Sequence, residues 1–521
     1  MSIEQPKNIS LQEQYPNLTC FGRTHIWIYE HPTTIKVLKV AALILGLGLL
    51  GALPFTAPLL GTAIVVSLAI TGTVLTVAAI IAFLTLDFLI PPHHDMKNHV
   101  YKPGTCEGGQ LFYDGDVPIL SLDSSDPFKV GKAHGYLCGD AINRLTKRFA
   151  LAQHTLSGMP RASQLPQTLQ AIRQWIPKKY LKEMEGLAEG YKQWAQEQSW
   201  WQFPNHLSVD DILLFHLMPD SIHFTAGLEF ENTLKTYDQA EQTSPPKAVA
   251  PAVPALACAA IVNKNAEDQF VFARNMDWPS LGLAGAYSLV IHRKNINEIT
   301  TSTVEVGLPG FIGTLTGMNS HGLSIAMNVC SGETRGIRGM PATFYNRECL
   351  ENCETVEGVK AFVNNEGSLG YNDYPLGPYH LTVADQTTAA SVHFYQSTEE
   401  THVFRDWDET THAPLTTLNY RYNPNPRSDM HNSQERQERI DQFFKNRENQ
   451  PLEDTLSLPF VNNGMTTHRV VMEPNTKRFR VAFDNAFAGK APLHEVSTQK
   501  LFDNSFVHKK VKKPSFSSCK N

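Results

Sequence analysis

With 521 residues, 42% of them hydrophobic, the chain is longer than one ordinary domain and long enough for a large core. Its formal net charge is -6 at pH 7, so it lacks the basic excess that proteins use to bind phosphate backbones. Nucleic acid is therefore not an expected partner, whereas an enzyme remains possible.

An uncharged segment lies near the N-terminus. No Asp, Glu, Lys or Arg occurs between Lys39 and Asp87. A helix needs about 20 apolar residues to cross a bilayer, so this segment is long enough for two helices, and Pro54 and Pro58 favour a turn between them. The alternative is a pair of buried helices in a water-soluble fold. We predict a polar tail over residues 1–36 and a transmembrane helical hairpin over residues 37–90.

A hairpin of this kind places its two flanks on one side of the membrane. The large C-terminal region then shares a compartment with the N-terminal tail, and the lipid bilayer is an expected partner. Lys36 and Lys39 precede the first span and Lys97 follows the second, while the turn is uncharged. This distribution favours the cytoplasmic side weakly and does not identify the membrane.

The region after the hairpin is predicted to be helical and to end in a linker. Apolar residues recur at helical spacing between residues 105 and 240, which we interpret as a helical prosegment. A Pro/Ala-rich stretch over residues 241–257 is typical of an extended, exposed linker, and Cys258 follows it directly. The clearest helical periodicity lies in residues 128–156, 181–194 and 209–217.

From Cys258 onward the sequence changes to short alternating runs separated by turn residues. This pattern predicts antiparallel strands with separate helices, an α+β layered domain over residues 258–490. Residues 491–521 are interpreted as a basic tail that either touches anionic lipid head groups or is simply solvated. The predicted hairpins pair 258–263 with 269–275, 287–293 with 299–306, 313–318 with 323–329, 380–384 with 389–395 and 468–473 with 478–483; the clearest helices are 343–365 and 433–446.

Cys258 is the first candidate for chemistry. A cut between Ala257 and Cys258 would give Cys258 an α-amine next to its own thiol. The reference pKa of such an amine is about 7.7–8.0, so it can accept the thiol proton near neutral pH, and one residue then supplies both nucleophile and base. The alternative is a small buried hydrophobic residue, as most unpaired cysteines are.

Arg274 and Asp277 are the next candidates. They end the strand that follows, and a hairpin returns that end to the start of the first strand, beside Cys258. A guanidinium stabilises a thiolate, and a carboxylate can orient an ammonium group. The alternative is an ordinary surface ion pair in a turn.

The segments Cys258-Ala-Ala-Ile-Val and Phe272-Ala-Arg-Asn-Met-Asp-Trp278 resemble the signature of the cysteine N-terminal-nucleophile hydrolases. That superfamily includes acid ceramidase, N-acylethanolamine acid amidase, choloylglycine hydrolase, penicillin V acylase and isopenicillin-N acyltransferase. The spacing from Cys258 to Arg274 and Asp277 is similar to the arrangement in the family. Ala259 departs from the pattern, because the family commonly has Thr or Ser after the nucleophile.

Five further segments resemble the same superfamily. Gly317-Met-Asn319-Ser-His-Gly-Leu-Ser is similar to its Gly-x-Asn hairpin, Leu415-Thr-Thr-Leu-Asn419-Tyr to the segment of its oxyanion asparagine, and Ser433-Gln-Glu-Arg436 to its Ser-x-x-Arg element. Upstream, the glycines around His134 and Glu185 resemble the prosegment of the acyltransferase branch. The alternative for Arg436 is a helix-surface arginine beside Glu435 and Glu438.

The resemblance implies an αββα sandwich that cleaves itself before Cys258 and then acts on amide bonds. It implies that Cys258 attacks, that Asn419 stabilises the oxyanion, that Asp277 holds the α-amine, and that Arg274 and Arg436 complete the catalytic group. Asn319 and Trp278 are expected to bind substrate. No metal or organic cofactor is implied, and the two parts are expected to stay associated after cleavage.

The substrate is left open between two classes. A membrane hairpin keeps the site near lipids, which favours an N-acyl lipid such as a ceramide or an N-acylethanolamine. The acyltransferase-like prosegment favours small soluble N-acyl amines or acyl transfer. A third alternative is an inactive, membrane-tethered binding protein with the same fold.

Overall fold

The computed structural model describes most of the chain after residue 100. Before that point it describes short helical pieces at residues 41, 44–45, 66–74 and 76–77. The remaining described residues are 101–146, 161–198, 206–220, 258–278, 280, 283–296, 301–330, 339–364, 375–394, 402–419, 433–446, 450–458, 460–462, 466–483 and 491–503. The linker 241–257, including Ala257, and residues 504–521 lie outside these ranges.

The strands in these ranges form two sheets. Neighbouring strands are antiparallel except for one parallel pair, β3 with β6. The ten-stranded sheet has, in spatial order, β1 (Gly104–Cys106), β2 (Gly109–Asp114), β3 (Val117–Asp123), β6 (Leu289–Lys294), β7 (Thr303–Gly307), β8 (Thr316–Asn319), β9 (Ser324–Val329), β10 (Tyr379–Ala384), β11 (Ala389–Phe394) and β12 (His402–Asp406). The six-stranded sheet has β13 (Leu415–Thr417), β4 (Ala259–Lys264), β5 (Phe270–Asp277), β14 (Thr466–Glu473), β15 (Arg478–Phe483) and β16 (His494–Val496).

Helices cover the outer faces of both sheets. In chain order they are α1 (Pro127–Leu137), α2 (Pro166–Arg173), α3 (Lys178–Gln196), α4 (Val209–His216), α5 (Leu283–Ala286), α6 (Ala342–Asn352), α7 (Val356–Val363), α8 (Ser433–Asn446) and α9 (Thr498–Phe502), with 3-10 helices at Ala162–Gln164 and Leu452–Ser457.

The two sheets pack face to face. Because side chains alternate along a strand, Ala260 and Val262 of β4 point into the core between the sheets. Ala259 and Ile261 point outward, where Ile440 of α8 covers them. On the outer face of the ten-stranded sheet, α1 lies over β1 to β3 and α6 lies over β8 and β9, and α3 packs against α1. The observed layers are helix, sheet, sheet, helix, and the predicted mixed α/β class is confirmed.

The prediction of a helical prosegment over residues 105–240 was wrong for its first part, because β1 to β3 occupy this part up to Asp123. In β3, Val117 and Ile119 enter the core between the sheets, while Leu120 and Leu122 enter the core under the helices. A strand buried on both faces carries apolar residues continuously, so its periodicity does not separate it from a buried helix. The prosegment therefore contributes three strands to the main sheet, and its described helices follow them.

The helices α1 and α3 cross at glycines. A Cβ atom placed on Gly131 would lie 1.9 Å from the Glu183 carbonyl oxygen, and one on Gly186 would lie 2.1 Å from that of Phe128. Both distances are shorter than any van der Waals contact, so only glycine allows these two backbones to touch. The glycine spacing noted in the prosegment thus has a packing function.

All five predicted hairpins are present, but the predicted helix over residues 343–365 is broken. The break occurs at Cys353, whose backbone is extended, with φ of -107° and ψ of 142°. The amide of Asn319 donates to the carbonyl oxygens of Leu350 and Cys353, at 3.0 and 2.8 Å, and satisfies the end of α6. The side chain of Thr355 then accepts from Gly358 N and begins α7.

The predicted basic tail also begins with ordered structure. The strand β16 pairs with β15, and Ser497 N donates to Asp114 Oδ2 at 2.6 Å. Residues 491–503 therefore belong to the folded domain, and the boundary predicted at residue 490 was too early.

Most of the predicted hairpin over residues 37–90 lies outside the described residues. Among the helices that are described, none combines the length and the apolarity needed to cross a bilayer. The described pieces at 66–74 and 76–77 are helical.

Candidate active site

Strand register brings three candidate residues to one end of the six-stranded sheet. Ala260 of β4 pairs with Arg274 on one side and with Thr417 of β13 on the other. Continuing the antiparallel register by two residues places Asn419 beside Cys258. Cys258 shares the inward orientation of Ala260 by alternation, and it is only 3% exposed.

The backbone of Cys258 is held from both ends. Its nitrogen donates to Asn419 Oδ1 at 2.6 Å, and its carbonyl oxygen accepts from Arg436 Nη1 at 2.8 Å. Arg436 Nη2 donates to Asn419 Oδ1 and to Ser433 Oγ, both at 2.9 Å. Cys258, Asn419 and Arg436 therefore form one buried network, and Arg436 is not the helix-surface arginine of the alternative interpretation.

These contacts define the orientation of the Asn419 amide. Its oxygen accepts from two groups that can only donate, the Cys258 N–H and the Arg436 guanidinium. Its nitrogen donates to the carbonyl oxygen of Val329 at 2.7 Å. An amide NH2 group has two N–H bonds, so this contact uses one of them.

Arg274 links the two sheets through a buried guanidinium that is 1% exposed. Its Nε lies 3.3 Å from Thr316 Oγ1, and its terminal nitrogens donate to Asn328 Oδ1 and to the Met327 carbonyl oxygen. Asn328 Nδ2 in turn donates to the Thr417 carbonyl oxygen at 2.7 Å. Arg274 thus holds a positive charge between the sheets near the start of β4, and a surface ion pair is excluded.

Asp277 is fully buried at the end of β5. Thr466 Oγ1 donates to Asp277 Oδ1 at 2.6 Å, and the pairing of β5 with β14 shifts register just after Thr466. Trp278 follows and is 3% exposed. Burial of the carboxylate again excludes the surface ion pair for Asp277.

Asn319 does not lie with this group. It occupies the opposite end of β8 from Thr316, about 10 Å away at 3.3 Å per strand residue. Its amide nitrogen holds the end of α6, and its oxygen accepts from His321 N at 3.0 Å and Leu323 N at 3.1 Å. The hydrogen-bonding groups of Asn319 build a turn and a helix end, so the structure does not bring this predicted substrate-binding residue to the other candidates.

His468 is one of several site residues that the sequence interpretation missed. Its Nε2 lies 3.4 Å from Thr316 Oγ1, the hydroxyl that also contacts Arg274. Burial and the charge of Arg274 lower the pKa of His468 to about 3, so the imidazole is neutral at physiological pH. The available signal was a histidine on the inward-facing side of an apolar strand.

Asn328 was missed for a similar reason, while Ser433 was noted only as part of the Ser-x-x-Arg element and was given no role. Asn328 interrupts the apolar strand β9, and Ser433 begins α8 one turn before Arg436. Ser433 Oγ accepts from Arg436 and also lies 3.3 Å from Asn419 N. Both residues orient their neighbours.

A family model described as acyl-coenzyme A:6-aminopenicillanic acid acyl-transferase matches residues 263–486. The structure of an N-acylethanolamine-hydrolyzing acid amidase ortholog from Caenorhabditis elegans is 19% identical in sequence to this chain, with a TM-score of 0.33. The match covers 42% of this chain and 93% of the amidase chain. Two structures of conjugated bile acid hydrolase from Clostridium perfringens have TM-scores of 0.30 and 0.32. The first is 16% identical to this chain, and the match covers 46% of this chain and 96% of the hydrolase chain. The second is 15% identical, and the match covers 47% of this chain and 93% of the hydrolase chain. No curated protein sequence matches this chain.

Proposed function

We propose that this chain belongs, through residues 263–486, to the superfamily of N-terminal-nucleophile acyltransferases and amidases, and that Cys258 is its nucleophile. The observation that carries the proposal is the network that holds both backbone polar groups of Cys258, with Asn419 Oδ1 2.6 Å from its nitrogen. Any buried backbone N–H needs an acceptor, but here the acceptor is a side-chain amide that Arg436 also holds. A nitrogen that must act as a base needs a defined position.

The proposed reaction transfers an acyl group through a thioester. The α-amine of Cys258 takes the thiol proton, and the sulfur attacks the carbonyl carbon of the substrate amide. The carbon–nitrogen bond breaks, and the leaving nitrogen takes the proton from the ammonium. Water, or a second amine, then attacks the thioester and restores the thiol. No step requires a cofactor.

The surrounding residues supply position and charge. Asn419 Oδ1 holds the nitrogen of Cys258, and the second N–H of its amide can donate to the oxyanion, a contribution of about 2.7–4 kcal/mol per donor. Asp277 is proposed to bind the α-ammonium once it forms. The buried charge of Arg274 is proposed to stabilise negative charge that develops between the sheets. Trp278, next to Asp277, is proposed to contact the substrate.

Cleavage of the Ala257–Cys258 bond is proposed to use the same groups. It would leave an α part up to Ala257 and a β part that begins at Cys258. Mass spectrometry of the purified protein tests this directly. The expected result is a fragment whose first residue is Cys258, and this fragment should be missing from Cys258→Ala. An intact 58.1 kDa chain with full amidase activity would contradict the mechanism.

Membrane attachment is proposed from the apolar segment. Four large apolar side chains of its described helical part, at i, i+4, i+8 and i+11, are 49–59% exposed: Val66, Ile70, Val74 and Val77. An exposed apolar helix face is expected where lipid takes the place of water. Flotation of the full chain with liposomes tests this proposal. Deletion of residues 37–90 should abolish flotation while leaving cleavage before Cys258 intact.

A bilayer near the site favours an N-acyl lipid of the ceramide or N-acylethanolamine type as substrate. The match to an acyl-transferase model favours the second candidate, a small soluble N-acyl amine or acyl transfer. Purified protein should be incubated with N-acyl lipids, bile-salt conjugates and acylated amino acids, each with and without an acceptor amine. Release of acid from lipids alone supports the first candidate, whereas turnover restricted to water-soluble amides removes it.

A non-catalytic binding protein with the same fold makes a distinct prediction. It would not form a thioester, so an acyl probe that reacts with thiols should fail to label Cys258. Labelling that is lost in Cys258→Ala and retained in Cys349→Ala would exclude this alternative, since Cys349 is a buried cysteine outside the network.

A further inference from the structure

A second group of chemically reactive side chains lies between the sheets. Cys330, His380 and His393 are each at most 1% exposed. His380 and His393 are directly opposite each other in β10 and β11, and His380 is also opposite Asn328 in β9. Cys330 comes two residues after Asn328 and therefore shares its inward orientation. Three neighbouring strands thus bring one thiol and two imidazoles to the same inner face.

The ligand atoms of these three residues are close enough to share one ion. One ligand atom from each residue lies within 4.8 Å of the other two. Cys330 Sγ and His393 Nε2 are 3.5 Å apart. In a tetrahedral zinc site with a Zn–S bond of about 2.3 Å and a Zn–N bond of about 2.0–2.1 Å, sulfur and nitrogen are about 3.5 Å apart. Cys330 Sγ and His393 Nε2 already have the required separation. A small rotation of the His380 ring would bring its ligand nitrogen to the same distance.

Polar groups continue beyond this trio on the same face. Thr382 and Ser391 are opposite each other in the next inward-facing pair of β10 and β11. Their hydroxyl oxygens are buried and have no hydrogen-bond partner among the residues that the structure describes. Buried polar groups in proteins normally bind protein, water or an ion, so this face is suited to a polar occupant.

We propose that Cys330, His380 and His393 bind a thiophilic divalent cation of the zinc class. Cysteine binds as the thiolate and both histidines as neutral imidazoles, so binding releases the thiol proton to solvent. One sulfur and two nitrogens suit zinc better than the hard cations calcium or magnesium, which prefer oxygen. Three protein ligands leave a fourth coordination position. The sequence interpretation implied no metal, and the proposal does not depend on the reaction proposed for Cys258.

The competing explanation is packing alone. A thiol can donate to an imidazole at 3.5 Å, and the two rings, with centroids 4.0 Å apart and planes tilted by 41°, can simply pack against each other. Packing of this kind predicts no preference for a metal ion. Metal content therefore separates the two explanations.

The test uses the full chain carrying Cys258→Ala, so that the proposed nucleophile cannot bind the ion. Because the three side chains are buried, the ion is supplied during expression, as zinc or cobalt in the medium. Zinc per chain is measured by elemental analysis after extensive dialysis, and the cobalt protein is examined for a thiolate-to-cobalt charge-transfer band. Cys330→Ser and His393→Gln are compared with Cys349→Ser, a matched control at another fully buried cysteine.

We expect about one zinc per chain in the parent and in Cys349→Ser, with the charge-transfer band present in both. Cys330→Ser and His393→Gln should lack the band, and their zinc content per chain should be at least tenfold lower than that of the parent. Should one of these two variants fail to fold, the other still decides by comparison with Cys349→Ser, because a site elsewhere in the chain would keep its metal when Cys330 or His393 is replaced. A parent without bound metal, or variants that bind as much metal as the parent, would overturn the proposal.

Discussion

Arg436 illustrates how a single side chain can position a nucleophile without touching the reacting atoms. It donates to the carbonyl oxygen of Cys258 and to Asn419 Oδ1, so it holds the nucleophile and the group that contacts the nucleophile's nitrogen. Replacing it leaves the Cys258 carbonyl without this donor. It also allows Asn419 to rotate away.

Arg436→Gln is expected to lower kcat about 10- to 100-fold and to change KM little. Loss of a charge-assisted hydrogen bond costs about 1.5–3 kcal/mol, and about 1.4 kcal/mol corresponds to a tenfold change in rate. Self-cleavage should slow as well, which mass spectrometry of freshly made protein measures. Arg439→Gln, one turn further along α8 and 36% exposed, is the matched control and should keep parental rates. A rise in KM alone would assign Arg436 to substrate binding.

At the scale of elements, the crossing of α1 and α3 depends on the absence of side chains. Gly135 and Gly190 repeat the contact one turn along, where added Cβ atoms would lie 2.1 Å from the Leu187 carbonyl oxygen and 2.0 Å from that of Lys132. The obstructing atoms belong to the backbone, so no rotamer change relieves the contact.

Gly131→Ala is therefore expected to destabilise the fold by about 1–3 kcal/mol or more, the usual cost of overpacking. Gly358→Ala is the control, because a Cβ atom at this position in α7 meets its nearest neighbour at 3.4 Å. Alanine has the higher helix propensity, so that variant should be neutral or up to about 1 kcal/mol more stable. Thermal unfolding of both variants measures the contrast. Equal melting temperatures would show that α1 and α3 can separate at little cost.

The sequence predicts well those parts of the site that arise from local pairing. Arg274 and Asp277 follow Cys258 within one hairpin, so alternation and turn chemistry suffice to place them near it. Asn328, Thr316 and His468 contact the same group from strands distant in the chain, and only the register between sheets brings them in. Without the resemblance, nothing local distinguishes Asn419 or Arg436 from other polar residues.

Errors of element type have a similar origin. β3 is apolar on both faces, so a run of its length fits a helix as well as a strand. The break at Cys353 depends on Asn319, which is over thirty residues away and satisfies the carbonyl groups at the end of α6. Both features result from tertiary contacts, which local periodicity does not contain.

At the scale of the whole molecule, several histidines are buried without charge. Burial lowers the pKa of His216 and His468 to about 3 and that of His292 to about 4, and it lowers the pKa of His134 as well. His134 Nε2 accepts from Gly310 N and His216 Nε2 accepts from Ile312 N, so the neutral forms anchor one loop beside the prosegment helices.

The free energy of unfolding should therefore fall as the pH decreases below about 6.5, the pKa of histidine in the unfolded chain. As the pH decreases, the unfolded state binds protons on these histidines below about pH 6.5, whereas the folded state does not bind them until about pH 3–4. The contribution of these histidines to the free energy of unfolding is therefore fully present above pH 6.5 and is lost towards pH 3. Each such histidine contributes up to about 1.4 kcal/mol per pH unit. Urea unfolding at pH 7, 6 and 5 measures this slope.

His216→Gln should make the slope shallower by up to about 1.4 kcal/mol per pH unit, the contribution of one proton. An identical slope in the parent and in His216→Gln would mean that His216 titrates equally in both states.

The parallel pairing of β3 with β6 has a consequence for a processed form of the protein. β3 lies within the ten-stranded sheet, and the buried Arg347 of α6 donates to Glu183 of α3 at 2.8 Å, so residues before Ala257 and after it share one sheet and one core. A cut before Cys258 would turn this fold into a heterodimer of two polypeptides that cannot fold apart. Unfolding of the cleaved protein would then include dissociation of the two polypeptides, so its melting temperature would rise with protein concentration. The melting temperature of the intact chain would not depend on concentration.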